Sequence, residues 1–317
     1  MPRKDNQKVT RTKRSASAPK KRATKRPLLF TPKRLCAAAC IATLLICLPI
    51  AGSFIPDLSG RGEYQFGPDN VTVTSIPAWV PDDIVTQVFE RSGLGPAESL
   101  LDEQVTEKIA AAFYTHPWVE TVHSVRKRFP TQVTVDVTFR VPAALISGVD
   151  GYYPVDREGV LLPPRDFSGD AVSRYPIVEH IASVPFGALG EQWGDPAVTG
   201  AAALAALLQQ EQSDGKSWWE HLDLEAIVAP SRVTIDEESD ELEFALKTEG
   251  GSLIQWGRGP STQHPGELTV AQKLERLQEY RTDYGGFDDA HGPYEIDIRP
   301  WHGIGRSRLA QRPAARH

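Results

Sequence analysis

The clearest pattern in this chain is an alternation of apolar and polar residues between Thr131 and Phe139. Its apolar positions are Val133, Val135, Val137 and Phe139. Side chains of a β-strand point alternately to its two faces, so the segment predicts a strand with one buried face. A second strand is predicted at 119–125, joined to the first by a polar turn at 126–130, and another begins at Val71.

Two amphipathic helices are predicted between the strand at Val71 and the strand at 119–125. The first opens at Pro81-Asp82-Asp83, because proline suits a first helical turn and carboxylates suit the positive end of the helix dipole. Gly93 ends it. The second is capped by Asp102 and stopped by Pro117. Residues 71–142 are therefore predicted to fold as β-α-α-β-β, with both helices on one face of a three-stranded sheet.

Residues 143–300 are mostly strand-like, with two helical exceptions. The predicted strands are Ala144–Ser147, Tyr152–Val155, Ile177–Glu179, Leu222–Val228, Arg232–Ile235, Leu242–Lys247, Ser252–Trp256 and Tyr294–Arg299. The predicted helices are Pro196–Gln210 and Glu267–Tyr280, and the acidic segment Asp236–Asp240 is predicted to be a hairpin turn. The chain is thus assigned to the α+β class, with a mostly antiparallel β-domain that ends in a helix and a strand.

An uncharged run at 35–55 separates two parts of opposite charge. Residues 1–34 contain 13 Lys or Arg and one acidic residue, whereas the rest of the chain is acidic. A run of this length predicts a transmembrane helix, with the basic tail in the cytoplasm and the bulk of the chain outside. The alternative is a cleavable signal peptide, because Ala51-Gly52-Ser53 is an acceptable cleavage site.

The segments that flank these parts are predicted to lack regular structure. Residues 1–34 are predicted to be a disordered cytoplasmic tail that meets anionic lipid rather than nucleic acid. Residues 56–70 are rich in Pro, Gly and Asp and are predicted to be a linker. Residues 301–317 are predicted to be a disordered C-terminal tail.

The sequence carries no recognisable catalytic, cofactor or metal motif. Cys36, Cys40 and Cys47 all lie in the uncharged run, so the exported part has no thiol for catalysis or a disulfide. A nucleophile elbow and a phosphate-binding loop are both absent. We therefore expect a protein that is not an enzyme, with no cofactor, no metal, no small-molecule substrate and no nucleic acid partner.

Several motifs occur in an order that resembles the FtsQ/DivIB cell-division family. They are His116–Val122 followed by Val125–Pro130, Phe139–Ala143, Tyr153–Val160, Gly251–Gly257, Gln272–Leu277 and Ile296–Arg299. Residues 71–142 resemble the family's POTRA domain, and residues 143–300 resemble its β-domain. Two features depart from the family pattern: an expanded, alanine-rich segment at 183–217, and Pro300 directly after the last predicted strand.

The resemblance implies a membrane-anchored scaffold of the divisome, located at the division site of the inner membrane. It implies that the last strand of the β-domain is an exposed edge that binds a partner strand of an FtsB/FtsL-type single-pass protein. The partner-binding residues are then Tyr294, Glu295, Ile296, Asp297, Ile298, Arg299 and Trp301. Pro300 removes one backbone donor from that edge. The alternative is a POTRA-bearing protein of envelope transport or assembly that binds strands as a chaperone.

Three tryptophans were considered as binding residues. Trp118 is predicted to be buried behind the sheet of residues 71–142. Trp218 and Trp219 are predicted to lie in a strand, where neighbouring side chains point to opposite faces, so that one of them could be exposed at an interface.

Overall fold

The computed structural model describes residues 32–53, 60–167, 169–230, 241–262 and 264–309. The chain divides into two compact units, Met1–Asp57 and Leu58–His317, and each is described by itself. Several predicted segments lie wholly or partly outside the described residues: the basic tail up to residue 31, the end of the uncharged run at 54–55, the first part of the linker at 56–59, the strand Arg232–Ile235, the turn Asp236–Asp240 and the C-terminal residues 310–317.

The first unit contributes one described helix, α1 (Pro32–Ser53). Among the residues that the structure describes, no helix is long and apolar enough to cross a membrane. The prediction of a transmembrane helix at 35–55 is contradicted on this point.

A three-stranded sheet organises the first part of the second unit. Its strands are β2 (Val71–Val73), β4 (Val119–Arg128) and β5 (Gln132–Phe139), in the order β2-β5-β4. β5 pairs in parallel with β2 and antiparallel with β4. The helices α2 (Ile84–Ser92) and α3 (Val105–Tyr114) lie between β2 and β4 in sequence and contribute Ile84, Val88, Ile109 and Phe113 to the shared core.

Local signals explain most of these boundaries. α2 ends at Gly93, whose backbone is left-handed with φ of 71°, a conformation that glycine adopts without steric cost. α3 begins after Gln104, while the Asp102 side chain accepts a hydrogen bond from the Gln104 amide. β4 continues to Arg128, so the predicted turn at 126–130 starts later than expected. A short antiparallel pair that was not predicted, β1 (Gln65–Phe66) with β3 (Glu98–Ser99), extends this part of the fold.

Eight of the described strands form a second sheet. In spatial order they are β13 (Gly305–Arg308), β12 (Tyr294–Asp297), β11 (Leu253–Arg258), β10 (Glu243–Thr248), β9 (Leu224–Val228), β8 (Ile177–Glu179), β6 (Pro142–Gly148) and β7 (Gly151–Asp156). Three neighbouring pairs are parallel: β6 with β8, β8 with β9, and β11 with β12. The sheet is therefore mixed, which corrects the prediction of a mostly antiparallel β-domain.

Helical crossovers account for two of the parallel pairs. α5 (Pro196–Leu208) lies between β8 and β9, and α7 (Val270–Tyr284) lies between β11 and β12. Parallel neighbours require such long connections, whereas antiparallel neighbours can be joined by a tight turn. The remaining helices of this part are short: α4 (Gly169–Val172) and α6 (Trp218–His221).

Trp218 and Trp219 lie in the helix α6, which corrects the prediction that they lie in a strand. Ser217 caps this helix by accepting a hydrogen bond from the Glu220 amide, while the Glu220 carboxylate accepts one from the Ser217 amide. This reciprocal capping box satisfies the free donors of the first turn and fixes a helix there. Both tryptophans are partly buried against the core of the second sheet.

Candidate functional site

The predicted partner-binding segment lies near one end of the second sheet. Its first four residues form β12, which pairs in parallel with β11 on one side and antiparallel with β13 on the other. The register of the outer pair joins Tyr294 to Arg308 and Asp297 to Gly305. β12 is therefore not the outermost strand, because the chain itself adds β13 from a segment that was predicted to be disordered.

Burial alternates along the predicted segment. Every second residue is buried in the core of the second sheet: Tyr294, Ile296 and Ile298. The residues between them are exposed or partly exposed: Glu295, Asp297 and Arg299. Trp301 lies beyond the strand and is 60% exposed. A partner at this end of the sheet could thus contact backbone and polar side chains, but the two isoleucines are not accessible.

Asp297 and Arg299 form an ion pair instead of being separately solvated. The Arg299 Nε donates to Asp297 Oδ1 at 2.8 Å, and its Nη1 donates to the Glu243 carboxylate on β10 at 2.5 Å. Hydrogen bonding from Arg299 lowers the pKa of Asp297, and bonding to Asp297 raises the pKa of Arg299. These contacts fix the chain where β12 ends.

Arg276 of α7 positions the residues that follow β12. Its guanidinium donates to the carbonyl oxygens of Ile298 at 2.7 Å, of Pro300, and of Trp301 at 3.0 Å. The Trp301 indole N–H donates to the Gly266 carbonyl at 2.6 Å. Trp301 is therefore held in place although most of its surface is exposed.

Sequence reasoning missed a group of side chains that binds β13. The guanidinium carbon of Arg306 lies 3.8 Å from the centre of the Tyr294 ring and 4.7 Å from the centre of the Tyr284 ring. Its Nη2 donates to Asp289 Oδ2 at 2.8 Å. We call Tyr284, Tyr294 and Asp289 the arginine cage. Its residues lie within eleven positions of one another, at the end of α7, in the following loop and in β12, so no helical or strand periodicity brings them together.

A second cluster of polar groups lies where the two sheets adjoin. Arg140, which follows β5, donates to Asp156 at the end of β7 at 2.6 Å, and both side chains are largely buried. The Trp118 indole N–H donates to Asp166 Oδ2 at 2.8 Å, and its ring stacks on Phe167 with centroids 5.8 Å apart. Trp118 itself is fully buried. These contacts tie the first sheet to the segment that follows β7.

His116 is a buried histidine at this junction. It is 3% exposed, and its Nδ1 accepts a hydrogen bond from the Trp118 amide at 3.4 Å, which places the ring proton on Nε2. Nε2 is buried without a hydrogen-bond partner among the described residues. Burial, reinforced by the positive charges of Arg91 and Arg165, lowers the pKa of His116 to about 4.

We expect His116 to make the chain less stable as the pH falls from about 6.5 to about 4. The unfolded chain takes up a proton at His116 near pH 6.5, whereas the folded chain takes it up only near pH 4. The free energy of unfolding therefore falls by up to ~1.4 kcal/mol for each pH unit between these two values. Urea unfolding across this range should show a steeper pH dependence for the wild type than for His116→Asn. His123→Asn, at an exposed position on β4, is the control and should keep the wild-type dependence. Equal dependence in all three chains would contradict the assignment.

Within the described part of the chain, no group of three or more His, Cys, Asp or Glu side chains could hold a metal ion. The described groups at the outer end of the second sheet are the paired backbones of β12 and β13, one ion-pair network and the arginine cage.

Comparison with known proteins supports the resemblance read from the motifs. No family model matches the chain. A curated relative, the cell division protein FtsQ of Corynebacterium glutamicum, is 31% identical over 119 residues. The matched region covers 38% of this chain and 47% of the relative, so the chain spans about half the length of the curated relative that it matches. This match confirms the predicted resemblance to the FtsQ/DivIB family over that region.

Proposed function

From this confirmed resemblance to the FtsQ/DivIB family, we propose that the chain is a non-enzymatic scaffold of the bacterial cell-division machinery. The match to a cell division protein FtsQ is the observation that carries the proposal. The motif order along the chain also supports it, because the motifs extend from residue 116 to residue 299. In this proposal the protein accumulates at the division site.

The proposed scaffold binds other division proteins through two regions. Residues 71–142 would act as a POTRA domain that contributes to recruitment, and residues 143–300 as a β-domain that binds FtsB/FtsL-type proteins. The β-α-α-β-β order of the first region and the position of β12 near one end of the second sheet are compatible with these roles. The mechanism is strand addition, in which main-chain hydrogen bonds provide affinity and neighbouring side chains select the partner.

A fluorescent protein fused to the N-terminus and expressed from the native locus tests the proposal. We expect the signal to concentrate at the constriction site as division proceeds, because a division scaffold is recruited there. An envelope protein outside the division machinery, labelled in a second colour in the same cells, controls for membrane geometry.

A uniform envelope signal at native expression would contradict the division-scaffold proposal. The POTRA-type transport or assembly protein would then be the better explanation, and capture of unfolded outer-membrane strands by the purified chain would be the next measurement.

A further inference from the structure

The outermost strand of the second sheet is a short hydrophilic segment of the chain's own C-terminal region. β13 has the sequence Gly-Arg-Ser-Arg, and all four residues are exposed. It covers the backbone edge of β12 along the whole length of that strand, in antiparallel register. An uncovered edge presents unpaired backbone donors and acceptors to any other strand, so β13 occupies the position that an added partner strand would take.

Few contacts hold β13 in this position. Ile304, immediately before the strand, packs partly buried against the core of the second sheet, and the Leu309 amide donates to the Pro293 carbonyl at 2.9 Å. Within the strand, Arg306 in the arginine cage provides the described side-chain contacts. A segment with little buried apolar surface and an exposed ladder belongs to the part of a fold that opens most easily.

The arginine cage is organised by contacts that do not involve Arg306. The Tyr294 hydroxyl donates to Asp289 Oδ1 at 2.7 Å, and the His291 amide donates to the same oxygen at 2.6 Å. These two hydrogen bonds, with Arg306 adding to them, lower the pKa of Asp289 to about 2, so the carboxylate is charged at neutral pH. Two aromatic faces beside a fixed carboxylate form a binding place for a cation.

We propose that β13 is an internal stand-in for a partner strand, and that a partner binds by displacing it. The partner would add an antiparallel strand to β12 and place an arginine or lysine in the arginine cage, opposite Ile296, where Arg306 now lies. The partner class is thus an extended protein segment with a basic residue at that register position. Only the identity of the partner as a division protein rests on the proposed function.

The edge can be tested with a copy of the strand itself. The probe is a fluorescent peptide of residues 303–309, offered to the chain 1–317 and to the same chain ended after His302. We expect saturable binding to the shortened chain and binding at least about tenfold weaker to the complete chain, because β13 competes within it at high effective concentration.

Peptide variants test the role of the cation. Arg306→Ala in the peptide should weaken binding to the shortened chain by about tenfold or more, since it loses both the aromatic and the carboxylate contacts. The Arg306→Lys peptide should bind with an affinity between those of the unchanged and the Arg306→Ala peptides, because lysine keeps the charge but not the planar guanidinium. Ser307→Ala, at the neighbouring exposed position, is the matched control and should bind as the unchanged peptide does.

A variant of the complete chain provides a second test, which does not depend on the folding of the shortened chain. Arg306→Ala in the complete chain should loosen β13 and let the unchanged peptide bind more tightly than it binds the wild-type chain. The proposal is overturned if the peptide binds neither variant while circular dichroism shows both to be folded, or if the Arg306→Ala peptide binds as well as the unchanged one. A uniform cellular distribution would remove the division role but leave these peptide results intact.

Discussion

Replacing Trp118 with alanine is expected to lower the free energy of unfolding by about 3–5 kcal/mol. The side chain is fully buried in the core of the first sheet, so its removal leaves a large cavity. The substitution also removes the hydrogen bond that the indole N–H donates to Asp166 at 2.8 Å, and the stacking of the indole on Phe167. Urea unfolding of the wild-type and variant chains, followed by far-UV circular dichroism, measures the difference.

Trp79→Ala is the matched control for Trp118→Ala. Trp79 also donates its indole N–H to a carbonyl, that of Arg140 at 3.1 Å, but its side chain is 40% exposed. We expect Trp79→Ala to lower the free energy of unfolding by about 1 kcal/mol or less, because truncation at this exposed position leaves no closed cavity. Equal losses for the two variants would show that Trp118 does not hold the junction together.

Local patterns were sufficient where a segment's structure depends on its own residues. The alternation at 131–139 predicted β5 within one residue at its start, because its buried face needs an apolar residue at every second position. The start signal Pro81-Asp82-Asp83 and the stop signal Gly93 likewise predicted α2, which is observed at Ile84–Ser92. Both elements carry their folding information in the sequence over a few residues.

The outer end of the second sheet could not be predicted, because β13 depends on contacts with other segments and not on a pattern of its own. β13 has no hydrophobic pattern, and it is held by pairing with β12 and by a cation in a cage drawn from α7 and two later segments. A tail without apolar periodicity reads as disorder when its partner strand is not known. Because β13 was not predicted, β12 was assigned to the edge of the sheet.

The wrong prediction of a strand across Trp218 and Trp219 has a different cause, because here the sequence does contain a signal for the observed helix. Ser217 followed three residues later by Glu220 is the signature of a capping box, and it marks the start of a helix. The structure shows that the cap decides the local conformation.

Lys273→Ala is expected to destabilise the chain by about 3 kcal/mol, because a largely buried carboxylate, that of Glu267, then keeps only the more distant Arg258 guanidinium, at 3.7 Å, as its counter-charge. Lys273 is 3% exposed, and its Nζ donates to Glu267 Oε1 at 2.6 Å and to the Arg258 carbonyl at 3.3 Å. Burial opposes the charge on Glu267, but hydrogen bonds from Lys273 and from the Arg258 amide outweigh it and lower the pKa of Glu267. Urea unfolding of the wild-type and variant chains at one fixed pH measures the loss.

Two further variants separate an unpaired charge from lost packing. Lys273→Met combined with Glu267→Gln removes both charges and keeps most of the volume, so it should recover much of the stability lost in Lys273→Ala. Lys108→Ala breaks an ion pair of similar length, 2.7 Å to Asp102, in which the lysine side chain is 48% exposed, and it should lower stability much less than Lys273→Ala does, because solvent screens the exposed pair. If Lys273→Ala cost no more than Lys108→Ala, solvent would have to reach Glu267 in the folded chain. The pair between α7 and the segment that precedes it would then contribute no more than a surface contact.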